Sequence, residues 1–575
     1  MESKWMLYTK RADFEKISAR FHISPVLARI IINRDIKEED FLLYLKSDLS
    51  LMHDAGRLYG VEDAYNEIMS EIKKGNKIRV VGDYDIDGVC SSYILVKSLR
   101  RFGADADVRI PDRIKDGYGI NDNIINEAAN DKISMIITCD NGIAAHSQME
   151  LARKLGIKVI ITDHHEVYQE DGKDYLPVAD VVINPKRSEC KYPFKSICGA
   201  LVAYKLMEYM YERLYSKKMY EDGELSDLLE VAAIATIGDV MPLVDENRVL
   251  VKHGLKSLLN TKNLGLRALI KATGMEGKKI SAYSIGFVIG PCLNAGGRLE
   301  NALVALNMFM SESSDEANEY AMHLKELNDE RKDLTAMNVK VAVELAEREY
   351  ADDDILVIYL ENCHESIAGI IAGRVREALG KPAIILTDAF GEDGMIKGSG
   401  RSIESYNMFE ALYEVKDIFE KFGGHHMAAG MSLKKDRLDE FRKRLNENSK
   451  LTKEDFIQKI WIDVPLPFSY ISHDFVRELE KLEPYGNKNE KPKFARKGIK
   501  ILSKSILGKN KNVVKMVLED DGTRLDGIYF CDGEAFFEEL KGNNEIDIIY
   551  YPDINEYGGR ESLQVIITGY KIKNI

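Results

Sequence analysis

The sequence has no run of about 18 uninterrupted apolar residues, so no segment is expected to span a membrane. It also lacks a CxxC pair. Seven cysteines are scattered along 575 residues, an odd count that fits reduced thiols in a cytoplasm better than a disulfide framework. The opening residues, MESKWMLYTKR, are charged and lack the apolar core of a signal peptide, which again points to a cytoplasmic protein. There is no internal repeat and no low-complexity tract. An excess of positive charge is missing too: the formal net charge is -14. Acidity of this size argues only weakly against a nucleic-acid partner. Net charge is a sum over the whole chain, whereas a DNA channel is local. Carboxylates that bind metal also add acid that the bound cations neutralise.

What is present is ordinary for a globular protein, with 45% hydrophobic and 30% charged residues. The length exceeds what one core supports and implies roughly two to four domains. Residues 1 to 75 have apolar positions spaced at three and four, a helical pattern. The pattern then changes. KIRVVGDYD, ADVRIP, SMIITCDNG, KVIITDHHE and VADVVINP each read as an apolar strand whose end meets polar residues. Helical stretches such as CSSYILVKSLRRFG and HSQMELARKLG lie between them. Alternation of this kind predicts a mostly parallel α/β sheet, which places ligands at the carboxyl ends of its strands. Helices follow over about 200–235 and 248–275. Residues 313–349, highly charged and free of proline and glycine, read as one or two long helices joining two lobes. A second α/β unit is expected from about 353 to 447, and a β-rich segment that suits a small barrel from about 458 onward.

Four segments carry chemistry: Gly82-Asp83-Tyr84-Asp85-Ile86-Asp87-Gly88, Cys139-Asp140-Asn141-Gly142, Thr162-Asp163-His164-His165 and Gly238-Asp239-Val240-Met241-Pro242. Each has a bland reading. The first resembles part of a calcium loop, but the glutamate of an EF-hand is replaced by Ile94. A lone Asp after a strand is often a helix N-cap, and that is the plain reading for Asp140. Caps do not explain why several strand ends of one unit all finish in Asp or His. Burying so many carboxylates is costly unless cations balance them. Oxygen-rich ligation with imidazole suits Mn²⁺ or Mg²⁺, and two such ions form the usual clamp for phosphoester hydrolysis.

These four segments, in this order, resemble the motifs of the DHH phosphoesterase superfamily, and the whole chain resembles its RecJ branch. RVVGDYDIDGVCSS, DGYGIN, TDHHE, ATIGDVMPLVDENR, GFVIGPCLNAGGRL, Leu327-Asn328 with Arg331, HESIAGIIAGR, KGSGRS, FGGHHMAAG and EPYGNKNEKP all carry the likeness. The resemblance implies a fold of two α/β lobes, DHH and DHHA1, joined by a long helix and followed by a C-terminal OB-like β-barrel. The implied segments are 1–75 packed on the DHH domain, 76–312 DHH, 313–349 the connecting helix, 350–450 DHHA1 and 451–575 the barrel. It implies two metal ions held by Asp83, Asp85, Asp140, His164 and Asp239, with Asp163 and His165 close by. Asp87 either joins this set or orients a ligand. Arg113, Arg298, Ser399 and Arg401 are implied to hold DNA phosphates, against a surface salt bridge as the plain alternative for a lone arginine. His425 would touch the scissile phosphate or assist the leaving group, against N-capping. Cys292 stands where the family often has arginine, so a basic contact is either missing or supplied elsewhere.

The implied activity is release of 5′-mononucleotides from single-stranded DNA in the 5′→3′ direction, in recombination and repair. A monomer is expected, working with a single-strand-binding protein and a RecQ-type helicase. Lys488 to Lys511 holds nine Lys or Arg against one Glu and would form a basic groove, with Phe494, Tyr529 and Phe530 as candidate base stackers or as barrel core. Three other readings share the motifs: a phosphodiesterase of short oligonucleotides or cyclic dinucleotides, an inactive DHH-like scaffold, and an inorganic pyrophosphatase. The C-terminal tail disfavours the first and third, and the full set of acids and histidines disfavours the second.

Overall fold

The structure, a computed structural model, describes residues 3–215 and 224–572. Two compact units form. One comprises Met52–Pro242 and Val249–Gln458; the other comprises Ser3–Leu51, Leu243–Arg248 and Lys459–Ile575.

In the first unit the five apolar runs become strands β1 (Lys77–Val81), β2 (Asp105–Arg109), β3 (Met135–Cys139), β4 (Lys158–Thr162) and β5 (Val181–Ile183). They form one parallel sheet in the order β2-β1-β3-β4-β5. The central strands are buried on both faces, which is why their sequences are continuous Val/Ile runs rather than alternating ones. The chain leaves β1 to one side for β2 and returns to its other side for β3. Strand order therefore reverses at β1, and a crevice opens beyond the carboxyl ends of β1 and β3. Helix α1 (Ile86–Arg101) starts there and is buried along almost its whole length. It packs against α2 (Gly199–Leu214) and α3 (Glu224–Gly238).

A helical run over 282–299, here α4, contains one π turn at Ile285–Ile289. The charged segment is a single helix, α5 (Ser314–Glu349), capped by the Ser313 hydroxyl. Its last turns give Ala342 and Ala346 to a core shared with β6 (Leu356–Tyr359), α6 (Ala368–Leu379) and β7 (Ala383–Asp388). Those elements open a second sheet completed by β8 (Met395–Arg401), β9 (Phe419–His425) and β10 (Ala428–Lys434), in the order β9-β10-β8-β7-β6. Only β6 and β7 run parallel. The hairpin β9–β10 is invisible to pattern reading, because its glycines interrupt the alternation that marks a strand.

In the second unit, β11 (Phe494–Leu507), β12 (Val513–Asp520), β13 (Thr523–Phe530), β14 (Glu545–Tyr557) and β15 (Arg560–Ile572) close into a five-stranded barrel through the β11–β14 pairing. The helices over 14–46 pack here: Ile17, Leu27, Ile30, Ile31 and Phe41 share the barrel's hydrophobic core with Phe468, Phe494 and Tyr550, whereas Val61–Lys74, the last helix of the first 75 residues, packs against β1, β5 and α2 of the first unit. Helical periodicity shows that residues 14–46 have an apolar face; it does not say what covers it. The fully buried Arg248 ties this unit together by donating to the carbonyls of Tyr44, Lys481 and Leu482 at 2.8–3.0 Å.

Candidate metal centre and phosphate face

The loop after β1 turns sharply into α1. Gly88 allows it, since a Cβ there would lie 2.4 Å from the Asp83 carbonyl oxygen. Asp85 is the N-cap of α1, accepting from the N–H groups of Asp87 (2.9 Å) and Gly88 (3.1 Å). The capping role allowed for Asp140 thus belongs to Asp85. Asp140 is no cap. It sits beyond β3 with a left-handed φ of 60°, a conformation that glycine, asparagine and aspartate adopt more readily than other residues.

These positions converge. Carboxylate or imidazole atoms of Asp83, Asp85 and Asp140 lie within 4.8 Å of one another, as do those of Asp87, His164 and Asp239, and those of Asp140, His164 and His165. His164 Nε2 stands 3.0 Å from Asp140 Oδ1, 3.5 Å from Asp87 and 3.8 Å from Asp239. Three atoms in this cluster are buried without a hydrogen-bond partner: Asp140 Oδ1, Asp239 Oδ2 and His164 Nδ1. Buried polar atoms are rarely left so. Crowding explains the titration. Burial first, then the charge of Asp85, pushes Asp83 up to about 8. Burial, then Asp87 and Asp85, does the same to Asp239. Asp140 is driven well above the carboxylate range by burial and by Asp87. Divalent cations at these oxygens would reverse that direction, and the oxygen-plus-imidazole donor set fits Mn²⁺ or Mg²⁺.

Two acids of the motifs are occupied otherwise. Asp87 accepts from Gly199 N–H (2.6 Å) and Ala200 N–H (2.8 Å), satisfying the start of α2. Asp163 accepts from the backbone N–H groups of Ile143, His164 and His165 and from His165 Nδ1 (2.8 Å). Burial alone would raise Asp163; the His165 bond and charge outweigh it and hold it below the usual range. In turn Asp163 raises His165 to about 9 against the effect of burial, while burial lowers His164. Asp163 therefore fixes the His165 imidazole and the backbone N–H groups of both histidines.

Pattern reading missed several supports. Asn141 donates to the carbonyls of Val81 and Cys139 and accepts from Ile120 N–H, tying together the ends of β1 and β3. The Tyr118 hydroxyl donates to the Asp140 carbonyl at 3.0 Å and lies 3.3 Å from His165 Nε2. Asn294 accepts from Ile86 N–H at 2.9 Å, docking α4 on the acidic loop. Both asparagines and the tyrosine stand inside or beside the motifs, but an uncharged side chain gives no signal of its partner.

The arginines form the complement. A Cβ at Gly297 would lie 2.2 Å from the Tyr84 carbonyl oxygen, so α4 abuts the acidic loop and Arg298 leaves its end, donating to the Ser366 carbonyl at 2.8 Å. Arg113 lies over the Tyr84 ring at 4.7 Å. Burial, then Arg113 and Arg331, pushes Arg298 down to about 10. Ser366 leads into α6, where the position of a Gly369 Cβ is 2.9 Å from Arg401 Nη2 and 3.3 Å from Ser399 Oγ. Register places Arg401, Ala428 and His425 in one row across β8, β10 and β9, and Ser399, Gly430 and Gly423 in the next row on the same face. Nothing lies within 4 Å of a Cβ at Gly423 or Gly430, so this floor is open. His425 is on an exposed strand end and is not an N-cap. Arg113, Arg298, Arg331 and Arg401 have no ion pair among the described residues. Cys292 is buried, with its thiol on the Val288 carbonyl and close to Asn328, which also holds Arg331 at 3.0 Å. Arg331 thus brings a guanidinium beside the place where arginine is replaced.

On the barrel, Phe494 is 0% exposed and belongs to the core, and Tyr529 packs on Phe536 and Tyr570. Phe530, at 65% exposure, is the one of the three stacking candidates that faces out. The basic stretch is partly neutralised: Arg496 pairs with Asp520 and Asp521, Lys493 with Glu490 and Lys511 with Glu534. Among the described residues, Lys497, Lys500 and Lys509 have no ion pair. No helix of the described residues is long and apolar enough to cross a membrane.

Comparison with known proteins agrees with this fold. Residues 77–236 match the model of the DHH family N-terminal domain, 352–450 the DHHA1 domain and 462–569 the RecJ OB domain. The single-stranded-DNA-specific exonuclease RecJ of Bacillus subtilis is 36% identical over 99% of this chain and 71% of its own length. That of Escherichia coli is 32% identical over 95% of each. RecJ of Thermus thermophilus, solved in complex with Mn²⁺, superposes with a TM-score of 0.84 at 25% identity, covering 100% of this chain and 80% of that one. Its complex with Mg²⁺ gives a TM-score of 0.78 at 24% identity, over 100% and 79% of the two chains. Motifs, fold and relatives converge: the chain belongs to the RecJ family, with its DHH, DHHA1 and OB domains.

Proposed function

We propose that the protein is a metal-dependent exonuclease that hydrolyses phosphodiester bonds of single-stranded DNA from the 5′ end and releases 5′-mononucleotides. The observation that carries the chemistry is the cluster of acids and imidazole at the carboxyl ends of neighbouring parallel strands, with buried oxygens left unpartnered. The substrate comes from the named activity of the relatives. Asp83, Asp85, Asp140, His164 and Asp239 would hold two Mn²⁺ or Mg²⁺ ions. When bound, such ions supply charge stabilisation at the phosphoryl oxygens and lower the pKa of the attacking water. Asp163 and Asp87 act through others: the first orients the His165 ring and holds the His164 backbone N–H, the second faces His164 while anchoring α2.

Arg113, Arg298, Ser399 and Arg401 bind phosphate, and Arg331 adds the charge that Cys292 does not. Guanidiniums with no carboxylate partner are suited to that task. His425, in the row of Arg401, meets the scissile phosphate or the leaving 3′ oxygen. The working segments are the DHH domain to residue 312, the linker 313–349, DHHA1 to 450 and the barrel beyond it. A cytoplasmic monomer acting in recombination and repair, with a helicase and a single-strand-binding protein supplying its substrate, completes the reading.

The test is digestion of one oligonucleotide labelled at its 5′ end and, separately, at its 3′ end, with Mn²⁺ or with EDTA, beside a blunt duplex. The 5′ label should leave at once as mononucleotide, only with metal, while the duplex survives. Intact long strands beside cleaved dinucleotides or cyclic dinucleotides would keep the chemistry and replace the substrate.

A further inference from the structure

Helix α4 crosses the acidic loop from end to end. Near its carboxyl end, Arg298 reaches Ser366 and Gly297 abuts Tyr84. In its middle, Asn294 holds Ile86 N–H, and a Cβ at Gly290 would meet Ile86 Cδ1 at 3.3 Å. Near its amino end, a Cβ at Gly286 would lie 3.8 Å from Ile237 Cγ2, in the last turn before Asp239. At that amino end stand Tyr283 and Phe287, 68% and 63% exposed. Their rings stack on each other with centroids 4.7 Å apart and planes at 26°. Phe287 lies within the π turn at Ile285–Ile289 and Tyr283 just before it, and such a distortion often marks functional positions. Two large aromatic side chains left together in water beside an active site point to an absent ligand with a flat apolar face.

We propose that Tyr283 and Phe287 form a stacking platform for a nucleobase on the 3′ side of the scissile phosphate. The proposal rests on the exonuclease reading and deepens it. With the 5′ phosphate among the arginines at one end of α4 and the scissile phosphate at the acids beside its middle, the strand continues toward the aromatic end. Eleven residues separate Phe287 from Arg298, about 16 Å of helix at ~1.5 Å each, a span of a few nucleotides. Every base offers a π face, so such a platform grips the strand without reading its sequence, as a general exonuclease requires. It also gives α4 a role as a ruler that sets how long a strand must be for full affinity.

The test compares the wild-type protein with the double variant Tyr283→Ala/Phe287→Ala on 5′-phosphorylated oligonucleotides of increasing length in Mn²⁺. A single abasic nucleotide is also moved along roughly the first six positions. In the wild type, KM should fall once the strand is long enough to reach the platform, and one abasic position should undo that gain. The double variant should lose the gain, with KM raised about tenfold to a hundredfold on long strands. Its kcat on the shortest cleaved substrate should stay the same, and it should ignore the abasic position. Tyr283→Phe and Phe287→Tyr should behave as wild type. A double variant with an unchanged length profile and abasic scan overturns the platform while leaving the exonuclease reading intact. So does a variant whose only defect is loss of a protein partner. Wild-type protein that leaves all single strands uncut overturns both.

Discussion

The acid cluster at the end of the parallel sheet and the arginine group around α4 and β8 are opposite in sign and alike in construction. In the first, burial and neighbouring carboxylates push Asp83 and Asp239 up to about 8. In the second, burial and neighbouring guanidiniums push Arg298 down to about 10. Each gathers like charges where water is scarce, with too little counter-charge nearby to offset burial and repulsion. Neither arrangement helps the folded chain by itself, because crowded like charges in low dielectric repel. Both are explained if the missing counter-charges arrive with the reaction, as cations for the acids and as phosphates for the arginines. The barrel differs: several of its basic side chains are already paired with carboxylates of the same unit. The comparison separates charge held for a ligand from charge already neutralised at home.

The sharpest way to break the acid side is Asp140→Ala. Turnover should fall by several powers of ten in the end-label assay, because a candidate ligand is lost and no core side chain is. The melting temperature in EDTA should hold or rise, since one crowded carboxylate has gone. A variant that kept most of its activity would sink the assignment. On the arginine side, Arg401→Gln should raise KM for a 5′-phosphorylated strand by roughly tenfold to a hundredfold, the worth of one charge-assisted contact. Its kcat should change little, and a 5′-hydroxyl strand should be affected less. Equal effects on both strands would mean that Arg401 grips a different phosphate.

Metal removal tests the crowding itself. In EDTA, Asp83 and Asp239 keep their protons in the folded chain at pH values where the unfolded chain has lost them. Their contribution to stability is therefore complete below about pH 4 and declines as pH rises toward about 8. Asp163, whose pKa is lowered, loses its contribution only on the acid side of that window. The melting temperature of metal-free protein should thus fall between about pH 5 and 8, and saturating Mn²⁺ should remove the decline. A metal-free melting temperature that climbs through this range would show that the cluster is not crowded. The smallest effect belongs to the barrel. Phe530→Ala should weaken single-strand binding by about fivefold. The slope of log affinity against log salt should be kept, because lysines such as Lys497 and Lys500 carry that term. A slope near zero in the wild-type protein would remove the barrel from the DNA path.

Much of the site is legible in the chain because its parts are local. Asp83, Asp85 and Asp87 follow a strand within seven residues, and Asp163 lies beside both histidines, so spacing alone brackets the candidate ligands. The alternation of apolar runs and helical stretches fixes the α/β class, and the charge and lack of proline and glycine over 313–349 mark helix there, while the structure alone makes it one helix. The capping role is an instance of what spacing cannot assign. Asp85 and Asp140 both follow strands, and only the backbone, helical after one and left-handed at the other, decides which acid serves the helix.

The sequence by itself determined the class of fold, the order of the motifs and the identity of the acids, because these depend on periodicity and on neighbours along the chain. Tertiary structure alone decided the rest. It put residues 14–46 on the barrel's core, buried Phe494 while exposing Phe530, and made β9 and β10 out of glycine-rich sequence so that His425 joins Arg401 in one row. It also left Tyr283 and Phe287 bare at one end of α4 and Arg298 tucked at the other. The reason is physical: each of these outcomes rests on contacts between residues tens to hundreds of positions apart, and the burial that selects them is non-directional and leaves no mark in local spacing.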